Sequence, residues 1–130
     1  MAGKLTDEGE NDLATKYFKN GYANLYLLLY KDTTEPPETA TLASITEETG
    51  TGYARIALAT ADWTVTADTA AHILKTFTAG ADWGNVYGYG ICTVATGTAG
   101  LLLFVEHFSD GPYNILDTKT VDITANLRAA

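Results

Sequence analysis

Past Gly21 the chain is built from short apolar runs separated by turn-forming residues, and this punctuation is its strongest constraint on folding. "ANLYLLLY" (23–30), "YARIAL" (53–58), "WTVT" (63–66), "HILKTFT" (72–78), "NVYGYGICTV" (85–94), "LLLFVEHF" (101–108) and "KTVDITANL" (119–127) are rich in Val, Ile, Thr, Tyr and Phe. The connections between them carry Gly, Asp, Asn, Thr or Pro, as strand connections do. The last run is the cleanest: Val121, Ile123, Ala125 and Leu127 alternate with Asp122, Thr124 and Asn126, which predicts a strand with one wet face. The first is apolar on both alternating faces, which predicts a central strand buried on both sides. Seven such stretches without helical crossovers argue for an antiparallel sandwich or barrel. The expected fold is all-β, an antiparallel sandwich of about seven or eight strands.

Two segments stand outside that pattern. Over residues 6–19, Thr6 suits an N-cap, and Asp7, Glu8 and Glu10 suit the positive end of a helix dipole. Leu13 with Tyr17 and Ala14 with Phe18 form i,i+4 apolar pairs, and Asn20-Gly21 offers a left-handed stop. This predicts one short N-terminal helix. Residues 31–52 hold Pro36-Pro37 together with Glu35, Glu38, Glu47 and Glu48, which predicts a long acidic surface loop, a docking arm or a segment ordered by a partner.

At 130 residues the chain fits one domain, residues 1–130. A chain of that size buries roughly two thirds of its unfolded surface and needs neither disulfide nor metal to hold a core. The 46% hydrophobic content excludes a disordered chain. No apolar run approaches the ~20 residues that cross a bilayer, and "MAGKLTDEGEND" has no apolar secretory core. A net charge of −8 repels nucleic-acid phosphate and anionic lipid, so neither nucleic acid nor membrane is an expected partner. The single cysteine, Cys92, lies in an apolar run and reads as a small buried hydrophobe.

The constellations that carry chemistry are weak. His107, Ser109 and Asp110 are close in sequence, but residues two apart on a strand are about 7 Å apart, too far for a direct bond, and there is no nucleophile elbow. His72 and His107 lack partners at metal-ligand spacing. The acidic loop lacks the alternation of a calcium loop. Asp62, Asp82 and Glu106 are the carboxylates available for glycoside chemistry, but aspartates before tryptophan also serve by fixing a turn. "GADWGNVYGYG" (80–90) has neither a dinucleotide fingerprint nor a phosphate-loop lysine. Gly88 and Gly90 would give their strand a smooth face for a second sheet, a ring or another backbone, with Tyr87, Tyr89 and Ile91 on the bulky face. Trp63 and Trp83 are the rings that could meet a sugar, although a core position is the simpler role. No catalytic residue, cofactor or metal is expected.

"GTGYARIAL" (50–58), "TFTAGADWGNVYGYGIC" (76–92), "GTAGLLLFVEHF" (97–108) and "KTVDITANL" (119–127) resemble small structural proteins of tailed bacteriophages and prophages. These have a G-Y-A-R segment followed by a D-W-G-x-V turn and strand. The resemblance spans about residues 5–127, and its most specific part is Gly52-Tyr53-Ala54-Arg55 with Asp82-Trp83-Gly84 and Val86. The segment at 109–120 and the acidic 31–49 loop depart from the family pattern. The resemblance implies a non-enzymatic β-sandwich virion protein made in the host bacterial cytoplasm, a capsid decoration, cement or head-fibre component. A tail, baseplate or fibre-adaptor role, or a carbohydrate-binding module, are the alternatives. The implied partners are the major capsid protein or tail and neck proteins, and further copies of the chain. Tyr53, Arg55, Asp82, Trp83 and Gly84 are the expected anchors, with Arg55 pairing to a carboxylate such as Asp82. Tyr17, Phe18, Glu35 and Glu38 are the expected docking residues.

Overall fold

In a computed structural model the described residues are 24–66 and 69–128, with Thr6, Glu8 and Thr15. The helix expected over 6–19, and with it Tyr17 and Phe18, falls almost wholly outside them.

The regular structure of the described residues is almost all strand. β1 (Asn24–Tyr30), β2 (Ile56–Ala59), β7 (Gly88–Cys92) and β8 (Leu102–His107) form one sheet in the order β2-β1-β7-β8. β3 (Trp63–Thr66), β4 (Thr69–His72) and β11 (Asn126–Arg128) form a second, in the order β11-β4-β3. β5 (Lys75–Thr78) pairs with β10 (Thr120–Ile123), and β6 (Gly84–Val86) pairs with β9 (Tyr113–Ile115). All these pairings are antiparallel.

Three predicted strands are each two. The run 72–78 breaks at Ile73 and Leu74, both more than half exposed, where the chain leaves β3's sheet for β10. The run 119–127 breaks at the same corner: β10 pairs with β5, β11 pairs with β4, and the His72 amide bonds the Ala125 carbonyl at 3.0 Å. Two adjacent strands thus turn between sheets together. The predicted alternation survives the turn, with Val121, Ile123, Ala125 and Leu127 buried and the residues between them exposed. The third break is at Tyr87. The Tyr113–Ile115 strand lies in a stretch whose turn residues hid it.

β1 is the central strand its composition predicts. Leu25, Leu27 and Leu29 face a core that also takes Leu58, Trp63, Phe77, Val86 and Leu127, so one cluster draws on every sheet. Burying each such side chain contributes about 1.5–3 kcal/mol. Leu28 and Tyr30 face the other way, into a second cluster with Cys92 and Leu42.

Gly88 stands opposite Tyr30 in the β1–β7 register. A Cβ there would lie 2.2 Å from the Tyr30 hydroxyl oxygen, so the smooth face of β7 accommodates an aromatic ring. Tyr89 and Ile91 pack on the first core, as the alternation implies. Tyr87 does not share their face. Lying at the break between β6 and β7, it packs with Tyr30 in the second cluster, its ring 6.0 Å from that of His107.

The acidic loop is not the wholly solvated arm its composition suggests. Leu42 is buried, Ile45 packs beside it, and both close the second face of the main sheet. The loop returns along β1: the Lys31 amide bonds Thr46 at 2.7 Å, the Glu48 amide bonds Leu29 at 3.0 Å, and Glu47 bridges to Tyr30. Glu35 and Glu38 are exposed as expected, whereas Glu48 is turned inward and only 3% exposed.

Candidate functional site

Tyr53 and Arg55 converge with Glu47 where this loop rejoins β1. β2 covers β1 only as far as Leu27, and the loop takes over at Tyr30. Between them the Leu29 amide would lack a partner, and the Tyr53 hydroxyl accepts its hydrogen bond at 3.1 Å. The same hydroxyl donates to Glu47 Oε2 at 2.6 Å. Arg55 grips that carboxylate with two prongs, Nε to Oε2 at 2.9 Å and Nη2 to Oε1 at 2.7 Å. Its remaining donors reach the Val94 and Gly97 carbonyls at 3.0 and 2.9 Å, tying in the loop between β7 and β8. A guanidinium suits this task because its planar fork matches a carboxylate and leaves donors over. The Glu47 hydrogen bond holds the Arg55 pKa above its ordinary value, against the lowering effect of burial. Burial, then the bond to Glu47, pushes the Tyr53 hydroxyl up.

The second half of the motif meets the first at one carbonyl. Thr51 O accepts the Gly80 amide at 2.9 Å and the Trp83 indole N–H at 2.9 Å. The Tyr53 ring stacks on Phe77 at 5.7 Å and 10°, and meets Trp83 edge-on at 5.7 Å and 82°. Lys31 donates to the Trp83 carbonyl and lies 3.4 Å from Glu48, whose other oxygen accepts the Thr49 and Gly50 amides. Gly84 follows at φ +76°, in the left-handed region, and opens β6.

Trp83 lies in the first core with Tyr53 packed against it, and Gly84 opens β6, but the expected Arg55–Asp82 pair does not form. Arg55 takes Glu47 instead, eight residues away across one turn. Asp82 Oδ1 accepts the Asp117 amide at 2.8 Å, pinning the turn between β9 and β10. Glu47 was the missed member. Its only sequence signal was its place among the glutamates of a loop rich in them.

The remaining features offer little converging chemistry. His107 Nδ1 and the Tyr30 hydroxyl are 2.9 Å apart and share a hydrogen bond, while Ser109 is exposed beyond the strand end. Glu106 accepts the Tyr89 hydroxyl at 2.5 Å, and Asp110 accepts that of Tyr113. Both tryptophans are buried, so neither offers a ring face to a sugar. Cys92 is buried, and burial pushes its thiol up. Among the described residues no group of three His, Cys, Asp or Glu side chains is placed to hold a metal ion, and no helix is long and apolar enough to cross a membrane. Comparison with family models, with curated proteins and with solved structures found no match.

Proposed function

We propose that this chain is a non-enzymatic structural protein of a tailed-phage virion, docked on the assembled shell as a decoration, cement or head-fibre component. We read its four sheets as a sandwich, the β2-β1-β7-β8 sheet forming one layer and the three smaller sheets the other. The carrying observation is that the motif residues point inward. Tyr53, Arg55 and Trp83 use their polar atoms to fix a loop, a hairpin and a core to one another. A motif used in this way supports a protein that works by its shape. Many symmetry-related copies on a shell make weak contacts sufficient through effective concentration. An acidic outer surface keeps the particles dispersed.

The test is the copy number of the chain in purified virions, measured by quantitative mass spectrometry. Decoration requires a number comparable to that of the major capsid protein. A few to dozens of copies would move the chain to the tail, neck or baseplate, and its absence from particles would overturn the reading.

A further inference from the structure

β8 ends the main sheet, and among the described residues no backbone hydrogen bond beyond those to β7 engages Leu102–His107. The Phe108 amide bonds Tyr87 at 2.9 Å on the β7 side. An antiparallel ladder alternates direction residue by residue, so the amides of Val105 and His107 point away from the sheet. The edge is apolar: Leu102, Leu103, Phe104 and Val105 are half-buried, and Leu101 is 60% exposed. A groove of about 270 Å³ runs beside it, with Pro37, Glu38 and Ala40 on the far wall. An unpaired, apolar edge is a template for another strand.

Charge selects the occupant. Glu38 lines the groove and Glu35 lies exposed three residues before it. Among the described residues neither is ion-paired. A second copy would bring the same acids, and a net charge of −8, against this edge, and like charges placed opposite each other repel. We propose that the free edge of β8 takes an extended strand of a partner protein that alternates apolar residues with lysine or arginine. That strand bonds Val105 and His107 and sets its cations against Glu35 and Glu38. The identity of the partner as a virion protein rests on the proposed function; the edge chemistry does not.

The probe is a fluorescent nine-residue peptide alternating lysine and valine, set against the same peptide with glutamate for lysine. By anisotropy at low salt the lysine peptide should bind at least tenfold more tightly. Added salt should weaken it, since exposed charges are screened. Hydrogen exchange should slow at Val105 and His107. Val105→Pro removes an outward donor at an edge position where proline is tolerated, and should abolish binding. The E35K/E38K double variant touches only exposed side chains and should weaken binding at least tenfold, which decides the matter even if V105P fails to fold. Equal binding of both peptides, protection elsewhere, or full binding by E35K/E38K would overturn the proposal. So would dimers of the chain itself protected along β8. If the peptide fails while the chain is present at shell copy number, the edge proposal falls and the decoration role stands. Peptide binding with no chain in particles reverses that outcome.

Discussion

On one face of the main sheet, Leu25, Leu27 and Leu29 meet side chains from all the smaller sheets; on the other, Leu28 and Tyr30 meet a loop. The first face is closed by strands whose alternation places an apolar residue at nearly every inward position, with the buried His72 of β4 packed against Trp63. The second is closed chiefly by Leu42 and Ile45, on a segment held by the Glu47–Arg55–Tyr53 network and by Lys31 with Glu48. Periodic burial needs no particular partner. A loop without periodicity needs specific polar ties to reach the same closure.

Leucine truncation gives the largest expected difference between the faces. Leu27 is fully buried at the centre of β1, and Leu27→Ala should cost roughly 3–5 kcal/mol, the upper part of the range for such changes. Leu42 is also buried, but its loop can relax around the vacancy, so Leu42→Ala should cost about 2 kcal/mol, near the lower end. Urea midpoints at unchanged m-value measure both. Equal losses would break the contrast between the faces.

The same contrast explains what could be read in advance. β1 and the alternation at 119–127 were legible because burial on one or both faces writes itself as period two. The strand breaks at Ile73-Leu74 and Tyr87 were not, because a strand that changes sheets keeps its alternation or loses it at one residue only. Tyr53 and Trp83 were expected as anchors from the resemblance, and the structure packs Trp83 in the first core with Tyr53 against it. The partner of Arg55 was not, because Asp82 and Glu47 are equally good carboxylates on paper and only the loop's path along β1 brings Glu47 near. The loop's inward turn was hidden for a related reason: Leu42 and Ile45 are two apolar residues in a segment that is otherwise polar.

Breaking the polar tie should cost less than the core truncation and act more locally. Arg55→Ala leaves Glu47 partly buried without its cation, at a cost of about 3 kcal/mol. Arg55→Lys should recover little, since an ammonium cannot reproduce the two-pronged grip or reach both carbonyls. The sharper readout is limited proteolysis. Cleavage within residues 31–49 should accelerate far more than cleavage elsewhere, reporting local opening of the second face alone. Uniform acceleration along the chain would mean that the network serves both faces alike.

Alkaline pH tests the polar side with no mutation and the smallest effect. Burial raises the hydroxyls of Tyr30, Tyr53 and Tyr89 above the ordinary tyrosine value of 10.0. A raised folded-state value means that the native state holds its proton where the unfolded chain has released it. The resulting stability is fully present below pH about 10 and is lost as the pH climbs beyond it toward the folded-state values. The slope is at most about 1.4 kcal/mol per pH unit for each tyrosine. Tyr53→Phe should flatten the decline above pH 10 while lowering stability at neutral pH, since Leu29 and Glu47 then lose the hydroxyl between them. Tyr89→Phe should flatten it to a similar degree without loosening the 31–49 loop, because the Tyr89 hydroxyl reaches Glu106 on the opposite face. Urea midpoints from pH 8 to 11 separate the two. If neither variant changes the slope, these hydroxyls titrate as freely in the fold as outside it, and their hydrogen bonds do not hold either face.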